Sequence, residues 1–241
     1  HIGNGSSINA VQNGVSVDTS MGLTPLEGLV MGTRSGDHDP AIAFHMMRTA
    51  RMSPDAVEAA LNRKSGILGI TGAHIDRRDA QAAAEAGDER SRLSIEIEAY
   101  RIRKYLGAYS AALGRVDAVV FTAGVGEMGT RIREEATSGL ANLGILLDPQ
   151  RNAASRTRNA ETIISSDDSP VKLLVIPTNE ELVMTEDTVA LTDGRYADHR
   201  SFRYGFQDPG YRNEAREEEL AGEIATGRTP EDIVVRPGRL G

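Results

Sequence analysis

From residue 93 to residue 129 the sequence lays down a long amphipathic helix, a short valine-rich run and a glycine-rich turn. No other feature constrains the fold as much. Ile95, Ala99, Ile102, Leu106, Tyr109 and Leu113 recur at spacings of four and three, which places them on one stripe of a helix over 93–113. Val116 to Thr122 then reads as a buried parallel strand, since a continuous apolar run offers no polar face to water. AGVGEMG (123–129) supplies the turn, and a further helix is expected from about Thr130 to Leu143. Lys172 to Pro177 repeats the strand signal, with Asn179 placed to cap the helix behind it. Strands alternating with helices indicate an α/β domain.

Around this core the punctuation is clear. Asn13-Gly14 between short β-rich runs over 6–20 predicts a hairpin. Residues 21–37 are glycine-rich and loop-like. Pro40 to Arg51 and Pro54 to Lys64 turn helical, with Ser53 as N-cap and Pro54 at the first helical position. After about Gly194 the composition shifts to an aromatic and acidic tail with one short helix over 213–225. Irregular or disordered structure is the expectation for the rest of 194–241. The absence of cysteine excludes disulfides and thiolate metal sites. A net charge of −8 without a basic stripe argues against nucleic acid. No apolar run approaches the roughly 18 residues that cross a bilayer, so no membrane partner is expected, and the lack of cysteine permits a reducing cytoplasm as the default setting.

Three segments share one design, a strand followed by a glycine-rich or polar turn: HIGNG (1–5), TAGVGEMG (122–129) and PTNEE (177–181). Glycine lets backbone N–H groups approach a phosphate closely, and a helix N-terminus adds favourable partial charge. Taken singly, a segment of this kind is more often an ordinary turn. Arg34, among the small residues of MGTRSGD (31–37), could reach into a cleft or lie on a flexible surface loop. Glu180 and Glu181 could attend a Mg²⁺ ion, which favours one or two carboxylates plus phosphate oxygens, or simply suit a helix N-terminus.

Taken together, HIGNGSS (1–7), DTSMGLTPLEGLVMGTRSGDHDP (18–40), KSGILGITG (64–72), FTAGVGE (121–127) and IPTNEEL (176–182) resemble acetate kinases in order and separation. The resemblance runs from residue 1 to about 193. It implies an α/β, ribonuclease-H-like domain of the actin-like ATPase kind, one half of a two-domain kinase and lacking its first strand. ATP/ADP and Mg²⁺ would be its cofactors, and acetate or acetyl phosphate its other substrate. His1, Ile2, Gly3, Asn4 and Gly5 would form the phosphate-binding hairpin. Asp76, Arg77 and Arg78 would contact the nucleoside, and Gly124, Val125, Gly126, Glu127 and Met128 would form the adenosine loop. Arg34 would stabilise the transferring phosphoryl group, and Glu180 would be the Mg²⁺-associated glutamate.

Two departures accompany the resemblance. The family's adenosine loop usually ends in Asn where this chain has Met128. The residues expected from the family's N-terminal half are absent, and none of His1, His38, His45, His74 and His199 takes the place of its catalytic histidine. The sequence is therefore expected to be a C-terminal half that needs its missing partner for activity, and a homodimer is implied. Propionate kinase, or a non-catalytic nucleotide-binding or dimerisation remnant, are the alternatives.

Overall fold

A computed structural model describes residues 1–198 and 201–236, so His199 lies outside the described residues. Strand β1 (Asn9–Gln12) pairs antiparallel with β2 (Val15–Thr19), Gln12 opposite Val15. Asn13 and Gly14 between them take φ of 52° and 78°. Two successive left-handed residues match the twist of the flanking strands, which is why Asn-Gly closes this hairpin.

Helices α1 (Ala41–Thr49) and α2 (Pro54–Arg63) follow, and the Ser53 hydroxyl accepts from Ala56 N at 3.2 Å as the cap of α2. Next come α3 (Gly66–Thr71), α4 (Arg77–Glu85) and the long α5 (Glu89–Leu113). Helix α5 starts ahead of its apolar stripe because the Asp88 carboxylate caps it, accepting from Ser91 N at 2.8 Å. Ile95, Ala99, Ile102, Leu106 and Tyr109 of the stripe are buried, while Leu113 is half-exposed.

The main sheet has the order β3-β5-β4, from β3 (Ala118–Phe121), β4 (Thr162–Ile163) and β5 (Lys172–Val175). β3 runs parallel to β5 in the register Ala118↔Lys172 to Phe121↔Val175, and β4 is antiparallel to β5. Leu173 and Val175 of β5, Phe121 of β3, and Ile132 and Ala136 from α7 (Thr130–Thr137) close the core against α5. β3 is parallel as expected but not buried. It forms the open edge of the sheet, so Ala118 is exposed and Val120 is 44% exposed, leaving β5 as the enclosed strand.

Two further expectations need correction. The glycine-rich segment after β3 is itself a short helix, α6 (Ala123–Met128). The helix behind it ends at Thr137 rather than Leu143, because Gly139 turns the chain with φ of 77°. Helices α8 (Pro149–Ala154) and α9 (Glu180–Thr192) complete the α/β body.

The short helix expected over 213–225 is present as α10 (Glu214–Ala225), and the described residues beyond 194 dock on the α/β body. The carboxylate of Glu223, only 6% exposed, accepts from Asn159 Nδ2, Arg228 Nη2 and Thr229 Oγ1 at 2.9, 2.9 and 2.7 Å. Val234 forms an antiparallel bridge with Thr162 of β4. Tyr204 donates its hydroxyl to Asp187 of α9 at 3.0 Å. Short-range sequence pattern shows an acidic helix here and cannot show that one glutamate turns inward. No helix among the described residues is long and apolar enough to cross a membrane.

Candidate nucleotide site

The turn 1–5 is the hub at which the motif segments meet. Ile2 N donates to Thr122 O at 3.0 Å, and Val125 N and Gly126 N both donate to Ile2 O, at 2.9 and 3.1 Å. Gly32 N donates to Asn4 O at 3.1 Å. The Arg34 guanidinium lies over Gly5, where an added Cβ would stand 3.9 Å from Nη1. On the other side His1 Nε2 is 3.7 Å from Glu180 Oε1. The amides of Val125 and Gly126 are thus engaged in holding the turn.

Beside the hub a cavity of about 440 Å³ opens between the turn, α4 and α6. Gly3 and Asn4, Asp76 to Arg78, and Gly124, Val125 and Met128 all line it, so residues far apart in sequence share one wall. Two lining side chains carry no motif signal: Gln81, one turn along α4, and Arg158, in the loop after α8. Arg158 Nη2 would lie 4.0 Å from a Cβ on Gly124, and its side chain is 66% exposed. Its Nε lies 3.9 Å from the carboxylate of the buried Glu127, so the cation at the cavity mouth is an exposed member of an ion pair.

The three expected nucleoside contacts differ in kind. Asp76 caps α4, accepting from Arg78 N at 2.8 Å, and pairs with the Arg78 guanidinium at 2.6 Å. That guanidinium, by hydrogen bonding, holds the Asp76 carboxyl down at about 2. Arg77 turns inward, 4% exposed, and pairs with the buried Glu98 of α5. It fixes α4 on α5, and Arg78, with its exposed side chain, is the cation of this trio that meets solvent.

Glu127 turns inward. Buried at 4% exposure, it accepts from Thr178 N at 2.9 Å and Thr178 Oγ1 at 3.1 Å, joining α6 to the turn that carries Glu180. Asn179 occupies the N-cap position of α9 without a side-chain cap bond. Glu180 is exposed, and no cluster of three or more metal-ligating side chains exists among the described residues. A single exposed carboxylate, 3.7 Å from the His1 imidazole, fits Mg²⁺, which keeps much of its shell for phosphate and water.

Arg34 sits on a rigid support, which removes the flexible-loop reading. Leu29, Val30 and Met31 before it are buried, Met31 N donates to Arg34 O at 3.2 Å, and Ser65 N donates to Thr33 O at 3.0 Å. Gly66 makes that packing possible. Its φ is +65°, and a Cβ would fall 2.1 Å from Met31 O.

Residues 1–186 match the model of the acetokinase family. The acetate kinase of Treponema pallidum (strain Nichols) is 58% identical over 236 residues, 98% of this chain and 53% of that protein, so this similarity extends into the tail. The acetate kinase of Trichlorobacter lovleyi is 60% identical over 88% of this chain and 50% of that protein. The crystal structure of Porphyromonas gingivalis acetate kinase superposes with a TM-score of 0.75 at 42% identity, covering 80% of this chain and 48% of that one. A propionate kinase from Francisella tularensis superposes with a TM-score of 0.71 at 45% identity, covering 78% and 47%. The chain spans about half the length of the curated relatives it matches.

Proposed function

The chain belongs to the acetokinase family, with the actin-like ATPase fold of its solved relatives, and on that footing we propose that it forms the nucleotide-binding half of an acetate kinase. The reaction is reversible phosphoryl transfer between ATP and acetate, giving acetyl phosphate and ADP. The observation that carries this reading is the meeting of four motif segments at the turn 1–5, with the 440 Å³ cavity on one side and Arg34 and Glu180 on the others. Adenosine occupies the cavity. The phosphates cross Asn4 and Gly5, which puts the terminal group near Arg34. Bound Mg²⁺ offsets phosphate charge in this chemistry, and Glu180 is the residue placed to attend it.

Gly5 gives the phosphates room for close approach, while Arg78, paired with Asp76, and Arg158, paired with Glu127, present guanidinium groups at the cavity. The acetate contacts belong to the half of the relatives' length outside this chain, and the homodimer is part of the same proposal. The full-length protein should therefore yield acetyl hydroxamate from ATP, Mg²⁺, acetate and hydroxylamine. The 241-residue chain alone should yield none above a heat-killed control. Turnover by that chain alone would show that this half builds the whole cleft. Failure of the full-length protein would favour the non-catalytic reading. Propionate is the rival acceptor, suggested by the likeness to a propionate kinase structure, and comparing kcat/KM for the two acids decides between them.

Met128 stands at the cavity end of α6, 37% exposed, where an amide would meet the nucleotide base. Met128→Asn is expected to tighten ATP binding, or sharpen ATP over GTP, by about 1 kcal/mol, the scale of one hydrogen bond. Equal calorimetric affinities of wild type and variant for both nucleotides would show that this side chain does not face the base.

A further inference from the structure

We propose that Arg216, in the segment beyond residue 194, is a positioning residue that fixes the turn 177–181 and through it the carboxylate of Glu180. The turn has little local support, since Asn179 provides no side-chain cap to α9. Thr178, two residues before Glu180, is instead held from outside on each of its polar groups. Its N–H and hydroxyl donate to Glu127, and its carbonyl accepts from Arg216 Nη2 at 3.0 Å. Arg216 forms no ion pair with a carboxylate among the described residues, so its charge is directed at that carbonyl. A charged donor makes the stronger kind of hydrogen bond.

Helix α10 presents Arg216 in a fixed place. Glu223 lies seven residues on, two helical turns along the same face, and its buried carboxylate ties that face to Asn159. The tail also walls a cavity of about 770 Å³ that includes Asn179, Glu180, Asn213 and Arg216. Arg212 lines that cavity too, but it is 75% exposed and pairs with Glu217 of its own segment. It serves as the matched control.

The inference rests on the proposed function only for the meaning of Glu180, so two measurements separate them. The first is amide hydrogen exchange over residues 176–183 in the full-length protein. Arg216→Ala should speed exchange there by about tenfold, the factor expected from one hydrogen bond to a charged group, with α5 unchanged. Arg216→Lys should recover part of the protection, and Arg212→Ala should match wild type. Exchange unchanged in Arg216→Ala, or raised equally throughout α5, would overturn the positioning role. If the alanine variant does not fold, Arg216→Gln and Arg216→Lys are read by the same criterion.

The second measurement is Mn²⁺ binding to the ADP complex, followed by electron paramagnetic resonance. Arg216→Ala should weaken it by about tenfold while metal-free ADP affinity stays as in wild type. Equal loss in both would reduce Arg216 to a general structural residue. Wild type that binds no Mn²⁺ with ADP would defeat the assignment of Glu180, and the exchange data alone would then judge Arg216.

Discussion

Arg34→Ala in the full-length protein is expected to lower kcat by about a thousandfold or more while the KM for ATP moves by no more than about threefold. The asymmetry follows from what Arg34 touches. Its guanidinium lies over Gly5, and among the described residues its only side-chain hydrogen bond is a long one to the thioether of Met31, at 3.6 Å. No carboxylate among the described residues neutralises it. An uncompensated cation on a rigid loop suits charge that develops on the transferring phosphoryl oxygens, where an arginine is worth orders of magnitude in rate. Stability should barely change, because the buried anchors of the loop are Leu29, Val30 and Met31 and not Arg34. Arg34→Lys should restore little, since a point charge does not reproduce the planar fork. Steady-state kinetics in both directions checks this, and a variant that loses ATP affinity at unchanged kcat would sink the role.

Arg34 also shows how far sequence carries the argument. Its position between glycine and small residues marks it as a candidate, and the resemblance assigns it a role. Only the fold shows that the loop is anchored, because the anchoring glycine, Gly66, lies in a different segment. Periodicity located α5 and the Asn-Gly hairpin because those signals are local. It called β3 buried because an apolar run looks the same at the edge of a sheet as at its centre, and strand order is a tertiary fact. Arg77 and Glu127 were legible as members of site motifs, yet both turn inward to structural partners, Glu98 and Thr178. Motif membership gives the neighbourhood of a residue and leaves its direction open. Arg158 and Gln81 bear no pattern at all, and the cavity alone brings them to the site.

Arg133 is the extreme case, and its replacement should have the largest effect on stability. TRIREEAT (130–137) falls in the helix expected from Thr130, with two arginines and two glutamates among its eight residues. In the fold Arg133 is 0% exposed and donates five hydrogen bonds. Nη1 reaches the carbonyls of Gly126 and Glu127 in the last turn of α6, at 2.9 and 2.6 Å. Nη2 reaches those of Asn152 and Ser155 at the end of α8, at 2.9 and 3.0 Å, and Nε reaches Asn152 Oδ1 at 2.8 Å. One guanidinium thereby closes two helix C-termini, where unpaired carbonyls and the helix dipole both favour a cation. Burial without a carboxylate lowers its pKa to about 10, which still leaves it charged at neutral pH. Arg133→Met would fill similar space and strand four buried carbonyls. At about 1–3 kcal/mol for each unsatisfied group, with partial relaxation, the expected loss is about 4 kcal/mol. For a domain of this size that is a fall in Tm of roughly 10 °C or more. Lysine has three donors and no fork, so Arg133→Lys should recover less than half of the loss. Because α6 carries Met128 and Glu127, ADP affinity should fall with stability, through displacement of the cavity wall. Differential scanning calorimetry of both variants, paired with ADP titration, provides the check. A Tm within about 2 °C of wild type for Arg133→Met would mean that water reaches those carbonyls and that the two helix ends do not depend on this side chain.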